Sequence, residues 1–111
     1  MNLMVREHGD VYEVIIEGNI LQENVEVLKM RFHDLIDNGK VQIILNMAKS
    51  NYVSSLCLAV IVDVKSRLVQ VKGDLKIANV NRLIRNLLEI TNLVKKIEIH
   101  DSIEDAIQAF K

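Results

Sequence analysis

A chain of 111 residues with no proline, four glycines and a formal charge of −1 has room for one domain and little material for linkers or disorder. Its 14 Lys and Arg against 15 Asp and Glu exclude the basic excess of a nucleic-acid binder, and a single cysteine, Cys57, excludes an internal disulfide. Half the residues are hydrophobic but only 4% are aromatic, so Val, Ile and Leu must build the core, which suits layers of sheet and helix.

The N-terminal residues Met1 to Glu7 lack the apolar stretch of a signal peptide, and residues 3–7 are expected to pair in a hairpin with Val11 to Glu17 across the Gly9-Asp10 turn. After Gly18, the residues Val25, Leu28, Phe32, Leu35 and Ile36 recur at helical spacing until Asn38-Gly39 stops them. Lys40 to Met47 reads as a strand. Ser54 or Ser55 caps a helix that runs to about Val71. A strand at Leu75 to Val80, a helix from Asn81 to about Asn92 and a strand at Lys96 to His100 follow. The last helix begins at Ser102, where Ser102-Ile103-Glu104-Asp105 resembles a capping box with a shorter acid, and runs to Phe110. The order β-β-α-β-α-β-α-β-α predicts an α/β domain over 1–111, with a mixed, largely parallel sheet of four to five strands and four helices. The longest apolar run, Leu56 to Val62, ends at Asp63 and is far shorter than the about 20 residues of a membrane span. A soluble cytoplasmic protein without membrane insertion is expected.

Catalytic chemistry finds little support. His8, His33 and His100 fall in separate elements without ligand spacing, and no nucleotide-binding, HExxH or GxSxG pattern is present. Cys57 sits in an apolar helical run and reads as a small buried hydrophobe. No enzyme activity, cofactor or metal is therefore predicted. The serine pair is more informative. At minimum, one of the two caps the helix; the free N–H groups of that helix end also suit a phosphate. Asp63, Ser66, Arg67 and Gln70 form a stripe expected to face solvent, and seven residues earlier the same stripe becomes Leu56, Ala59 and Val60. Either this apolar end is a docking surface or a loop or neighbouring helix covers Leu56.

Three C-terminal segments, 72–80, 87–93 and 97–106, together resemble the STAS domain, the fold of bacterial anti-sigma-factor antagonists, and the resemblance extends from about Tyr12 to Phe110. In that family an Asp-Ser-Ser-Gly-Leu-Gly motif carries a serine phosphorylated by a partner that is both serine kinase and anti-sigma factor; the unphosphorylated antagonist binds this partner and frees the sigma factor. The motif falls here on Val53-Ser54-Ser55-Leu56-Cys57-Leu58, with Val in place of the acid and Leu in place of both glycines. Leu21, after Gly18-Asn19-Ile20, and Asn46 stand at two other places around this site that are often acidic in the family. The resemblance implies phosphoacceptors at Ser54 or Ser55 and a partner-binding surface of Ser54, Ser55, Leu56, Ala59 and Val60.

Three functions follow as expectations. The first is an anti-sigma-factor antagonist that binds an anti-sigma factor/serine kinase and is switched at Ser54. The second is a constitutive STAS interaction subunit of a signalling or lipid-transport complex. The third, a small-ligand binder or enzyme using the carboxyl ends of the strands, has no residue cluster behind it. A homodimer stays open, because an apolar patch serves a second copy as well as a partner.

Overall fold

The computed structural model describes all of residues 1–111. Five strands form one sheet: β1 (Asn2–His8), β2 (Val11–Glu17), β3 (Gln42–Lys49), β4 (Asp74–Ala78) and β5 (Ile99–His100), in the spatial order β1-β2-β3-β4-β5. Only β1 is antiparallel; β2 to β5 are parallel. Four helices accompany them: α1 (Val25–Asp37), α2 (Ser55–Gln70), α3 (Arg82–Ile90) and α4 (Ile103–Phe110). The expected mixed sheet with four helices is thus observed.

Because the parallel strands follow one another in space as in sequence, right-handed crossovers carry α1, α2 and α3 to the same face of the sheet. There the β-branched and Leu positions of alternating strand residues meet the helices in an apolar core that includes Phe32, Leu45, Ile61, Ile77 and Ile84. The opposite face is left to α4, which packs a small cluster of Val11, Ile44, Ala78 and Ala106. No helix is long and apolar enough to cross a membrane.

Several boundaries differ from the sequence expectation for definable reasons. Strand β3 begins at Gln42 rather than Lys40 because Gly39, at φ +75°, closes α1: its N–H donates to the Ile36 carbonyl at 3.0 Å and Lys40 N–H to the Leu35 carbonyl at 2.9 Å. Strand β4 is shorter than the expected Leu75–Val80, ending at Ala78 because Asn79 adopts φ +62°. Strand β5 contains only Ile99 and His100, because Leu93–Lys95 form a 3-10 turn and Ile97 N–H still donates to the Leu93 carbonyl at 2.9 Å. At the end of α2, Lys72 takes the left-handed conformation and Gly73 follows it; a Cβ on Gly73 would collide with the Val41 carbonyl, so the glycine answers a close approach of two backbones. Ser102 caps α4 by accepting from Asp105 N–H at 3.1 Å.

Candidate functional site

The mouth of α2 is assembled from the loops that leave the carboxyl ends of β2, β3 and β4, the usual position of sites in parallel α/β sheets. Gly18 N–H donates to the Lys49 carbonyl at 3.0 Å, Ile20 N–H to the Tyr52 carbonyl at 2.9 Å and Ser54 N–H to the Ile20 carbonyl at 2.9 Å. The first two loops therefore run side by side, with Ile20 and Val53 bridged in parallel fashion and both buried. The third loop is tied in by Asn81, whose Nδ2 donates to the Ser50 carbonyl at 3.1 Å and whose Oδ1 caps α3 by accepting from Ile84 N–H at 2.8 Å. Ser50 itself is fully buried and donates to the Ile16 carbonyl at 3.3 Å. Little in this end of the molecule is left free to shift.

Ser54 and Ser55 divide between them the roles that the sequence leaves open. Ser54 is the N-cap: its extended backbone leads into the helix, its Oγ accepts from Cys57 N–H at 3.2 Å, and its carbonyl accepts from Leu58 N–H at 3.2 Å. It is only 8% exposed. Ser55 is the first helical residue and is exposed. The free N–H groups and partial positive charge of the helix start lie beside both hydroxyls, and no acidic residue stands in the first turn to repel a phosphate.

The residues around the serines separate into core and surface. Val53, in the place of the family's acid, is a core residue, and so is Leu58, in the place of the second glycine. Leu56, in the place of the first, is 46% exposed, so no loop or helix covers it. Ala59 is exposed as well, while Val60 is half-buried and packs on the core. Asp63, Ser66, Arg67 and Gln70 continue the stripe as exposed positions. Two exposed side chains extend the apolar rim from the neighbouring loops: Leu21, which the family resemblance puts beside the serines, and Tyr52, which the sequence pattern does not assign to this surface. Only the pairing of the two loops brings them there.

Asn46, which the family resemblance puts around the serines, does not belong to this surface, because strand alternation turns it to the other face of the sheet from Leu45 and Met47. It projects to the α4 side of the sheet, where its Nδ2 donates to Glu13 Oε2 at 2.8 Å. Glu13 is buried on β2 and its other oxygen lies 2.7 Å from His8 Nε2. Cys57 is buried in the core, and burial pushes its thiol up to about 12, which removes the thiolate that nucleophilic chemistry requires. The histidines remain apart: His8 and His100 each face a carboxylate, Glu13 and Glu98, and His33 lies on α1.

A family model described as the STAS domain matches residues 2–106. The chain is 28% identical over 96 residues to BtrV of Bordetella bronchiseptica, a protein provisionally described as an anti-sigma factor antagonist; the match covers 86% of this chain and 83% of that one. A crystal structure from Thermotoga maritima with the same provisional description superposes with a TM-score of 0.92 at 22% identity, covering 96% of this chain and 92% of the other. The anti-sigma factor antagonist SpoIIAA in its unphosphorylated form superposes with a TM-score of 0.78 at 16% identity over 98% of this chain and 97% of its own. The phosphorylated form of SpoIIAA, from Bacillus, gives 0.77 at 16% identity over 99% of this chain and 100% of its own.

Proposed function

This chain belongs to the STAS-domain family, and from that premise we propose that it is a cytoplasmic protein-binding regulator of the anti-sigma-factor-antagonist kind, docking an anti-sigma factor/serine kinase through the mouth of α2. The observation that carries the proposal is the exposed apolar rim of Leu21, Tyr52 and Leu56 around a serine pair at a helix start. Such a rim supplies a desolvated anchor, and the serines supply a position where charge can be added. The chain performs no chemistry itself: the partner transfers the γ-phosphoryl group of a nucleoside triphosphate to a serine Oγ. A phosphate at Ser54 leaves the helix cap in place and puts two negative charges beside Leu56. That adds a desolvation cost to the docked state; a penalty of about 3 kcal/mol weakens binding on the order of 100-fold.

The burial of Ser54 and the use of its hydroxyl as a cap favour a second reading, a constitutive interaction subunit of a signalling or lipid-transport complex, without a switch. Two substitutions separate the readings. Leu56→Asp abolishes partner binding under both. Ser54→Asp keeps a good N-cap and abolishes binding only if the site is a switch. Phosphopeptide mapping after incubation with serine kinases of the same organism is the direct test: phosphate on Ser54 or Ser55 is expected. An unmodified pair, under conditions where the kinase modifies a control substrate, ends the switching reading.

A further inference from the structure

The far end of α2 differs in charge from the rest of the chain. Residues 64–73 and 91–97 hold five of the 14 Lys and Arg and none of the 15 Asp and Glu, although the whole chain carries −1. Lys65 is bonded to Asp74 and Arg67 to Asp63. Lys72, Lys95 and Lys96 have no ion-pair partner in the chain. Lys72 follows the C-cap of α2, two residues before Asp74, and the 3-10 turn Leu93–Lys95 brings Lys96 against the helix. Three unpaired cations therefore gather where α2 ends.

Between α2 and Lys96 lies a cleft of about 410 Å³. Val62, Val69 and Ile97 give it an apolar wall, and Lys65 and Lys96 stand at its rim. Ile97 is buried and Val62 half-buried, so the floor lies below the surface, whereas Val69 is 55% exposed at the lip. Left open, the cleft keeps apolar surface in water and like charges close together. One kind of ligand relieves both costs: an apolar group with negative charge on either side of it. A flat bilayer does not reach the floor, and the exposed residues of both segments include no Trp, Tyr or Phe to anchor at a membrane interface. A nucleic-acid strand lacks the aromatic platform on which its bases would stack. The volume suits one or two aliphatic side chains.

We propose that this cleft binds a short acidic segment of a partner protein, with an aliphatic side chain seated between Val62, Val69 and Ile97 and flanking carboxylates meeting Lys72, Lys95 and Lys96. The apolar anchor supplies burial, and the unpaired lysines supply attraction and select against basic segments. Val69 lies about 20 Å along α2 from Ser55. The segment is therefore held at the opposite end of the helix from the serines, and the mouth of α2 stays free for another protein. The inference does not rest on the reading of that mouth.

NMR titration of the isotope-labelled full chain tests the proposal, with a blocked synthetic peptide of two leucines flanked on each side by two glutamates as the probe. Saturable shifts are expected at the amides of Val62, Ser66, Val69 and Lys96, with a dissociation constant on the order of 100 µM. Replacing the leucines by alanine, or the glutamates by glutamine, is expected to weaken binding at least about fivefold, and salt near about 0.5 M should do the same. Val69→Asp and Lys96→Glu change exposed side chains and spare the fold; each weakens the peptide about tenfold, while Leu56→Asp at the mouth leaves it unchanged. A spectrum unmoved by roughly 2 mM peptide overturns the proposal. So do shifts that map away from the cleft, or an affinity that Val69→Asp and Lys96→Glu both leave intact. Co-sedimentation with phosphatidylglycerol vesicles that these two variants abolish, without a response to the peptide, assigns the patch to a membrane and overturns it as well.

Discussion

The two faces of the sheet solve the same problem with different chemistry. Under α1, α2 and α3, twenty-two buried residues form a continuous apolar core. Under α4, the apolar cluster has four buried residues, and the remaining space holds buried Glu13 and Lys76. Glu13 is held by His8 and Asn46; Lys76 Nζ lies 2.7 Å from Glu98, 3.3 Å from Asp74 and 4.8 Å from the centre of the Phe110 ring. Apolar burial supplies free energy in proportion to area, whereas a buried ion pair contributes little net stability and chiefly fixes geometry. The face that carries α2 is therefore the stable one, and the mouth of α2 inherits a rigid base.

The sharpest way to break this comparison is to truncate one aromatic on each face. Phe32 is fully buried on α1, and Phe32→Ala is expected to cost about 3–5 kcal/mol in urea unfolding. Phe110 is half-buried at the end of α4, and Phe110→Ala is expected to cost about 1 kcal/mol, mostly lost packing and a cation–π contact with Lys76. Equal losses would mean that α4 covers as consequential a core as α1.

A smaller effect probes the polar side alone. Glu13→Ala strips the acceptor from Asn46 Nδ2 and from His8 Nε2 inside the fold, and a loss of about 2 kcal/mol is expected. Lys76→Met should cost less, since Asp74 keeps Lys65 as a partner and Glu98 is half in water. If Lys76→Met proves the more damaging, the polar face is held by its lysine rather than by the Glu13 network.

These same residues mark what sequence can and cannot reveal. The apolar periodicities of 25–36 and 56–68 are local and announce the helices, and Gly39 and Gly73 announce their ends, so the topology is readable. The cap at the start of α2 is readable to within one residue; assigning it to Ser54 needs the hydrogen bond from Cys57 N–H. The burial of Glu13 in the strand Val11–Glu17 has no sequence signal, because its partners are His8 across the hairpin and Asn46, 33 positions away. Tyr52 escapes a sequence-based assignment to the site for the same reason, and Leu21 reaches it only through the family resemblance: the place of both on the rim depends on two loops pairing across the sheet. Contacts made at long sequence separation leave no period and no spacing to detect.

The smallest expected effect is acid sensitivity, and it should fall on the α4 side. Burial works against ionisation of Asp74, but the hydrogen bond from Lys65, the Leu75 N–H and the positive charges of Lys65 and Lys76 outweigh it and hold the carboxyl below its ordinary value. For Glu98 the hydrogen bond from Lys76 is the leading influence; it exceeds the opposing desolvation, and the Lys76 charge and His100 add to it. A carboxyl whose value is lower in the folded state binds its proton less readily there than in the unfolded chain. Its stabilisation is therefore complete above the ordinary carboxylate values of about 4 and is lost as pH falls through them toward the lowered folded values. Urea unfolding from pH 7 to pH 3 should show this loss, and Asp74→Asn should flatten it, with the variant and parent converging at the acid end. Hydrogen exchange locates the effect. Below pH 4, as Glu98 and Asp74 take up protons in the folded state, the amides of Ile103–Phe110 should gain exchange, corrected for the intrinsic pH dependence, before those of β2, β3 and α2, because Lys76 beneath α4 loses its carboxylate partners while the apolar face is untouched. Uniform loss of protection across both faces would show that the two unfold as one unit, and that the polar face is no weaker than the apolar one.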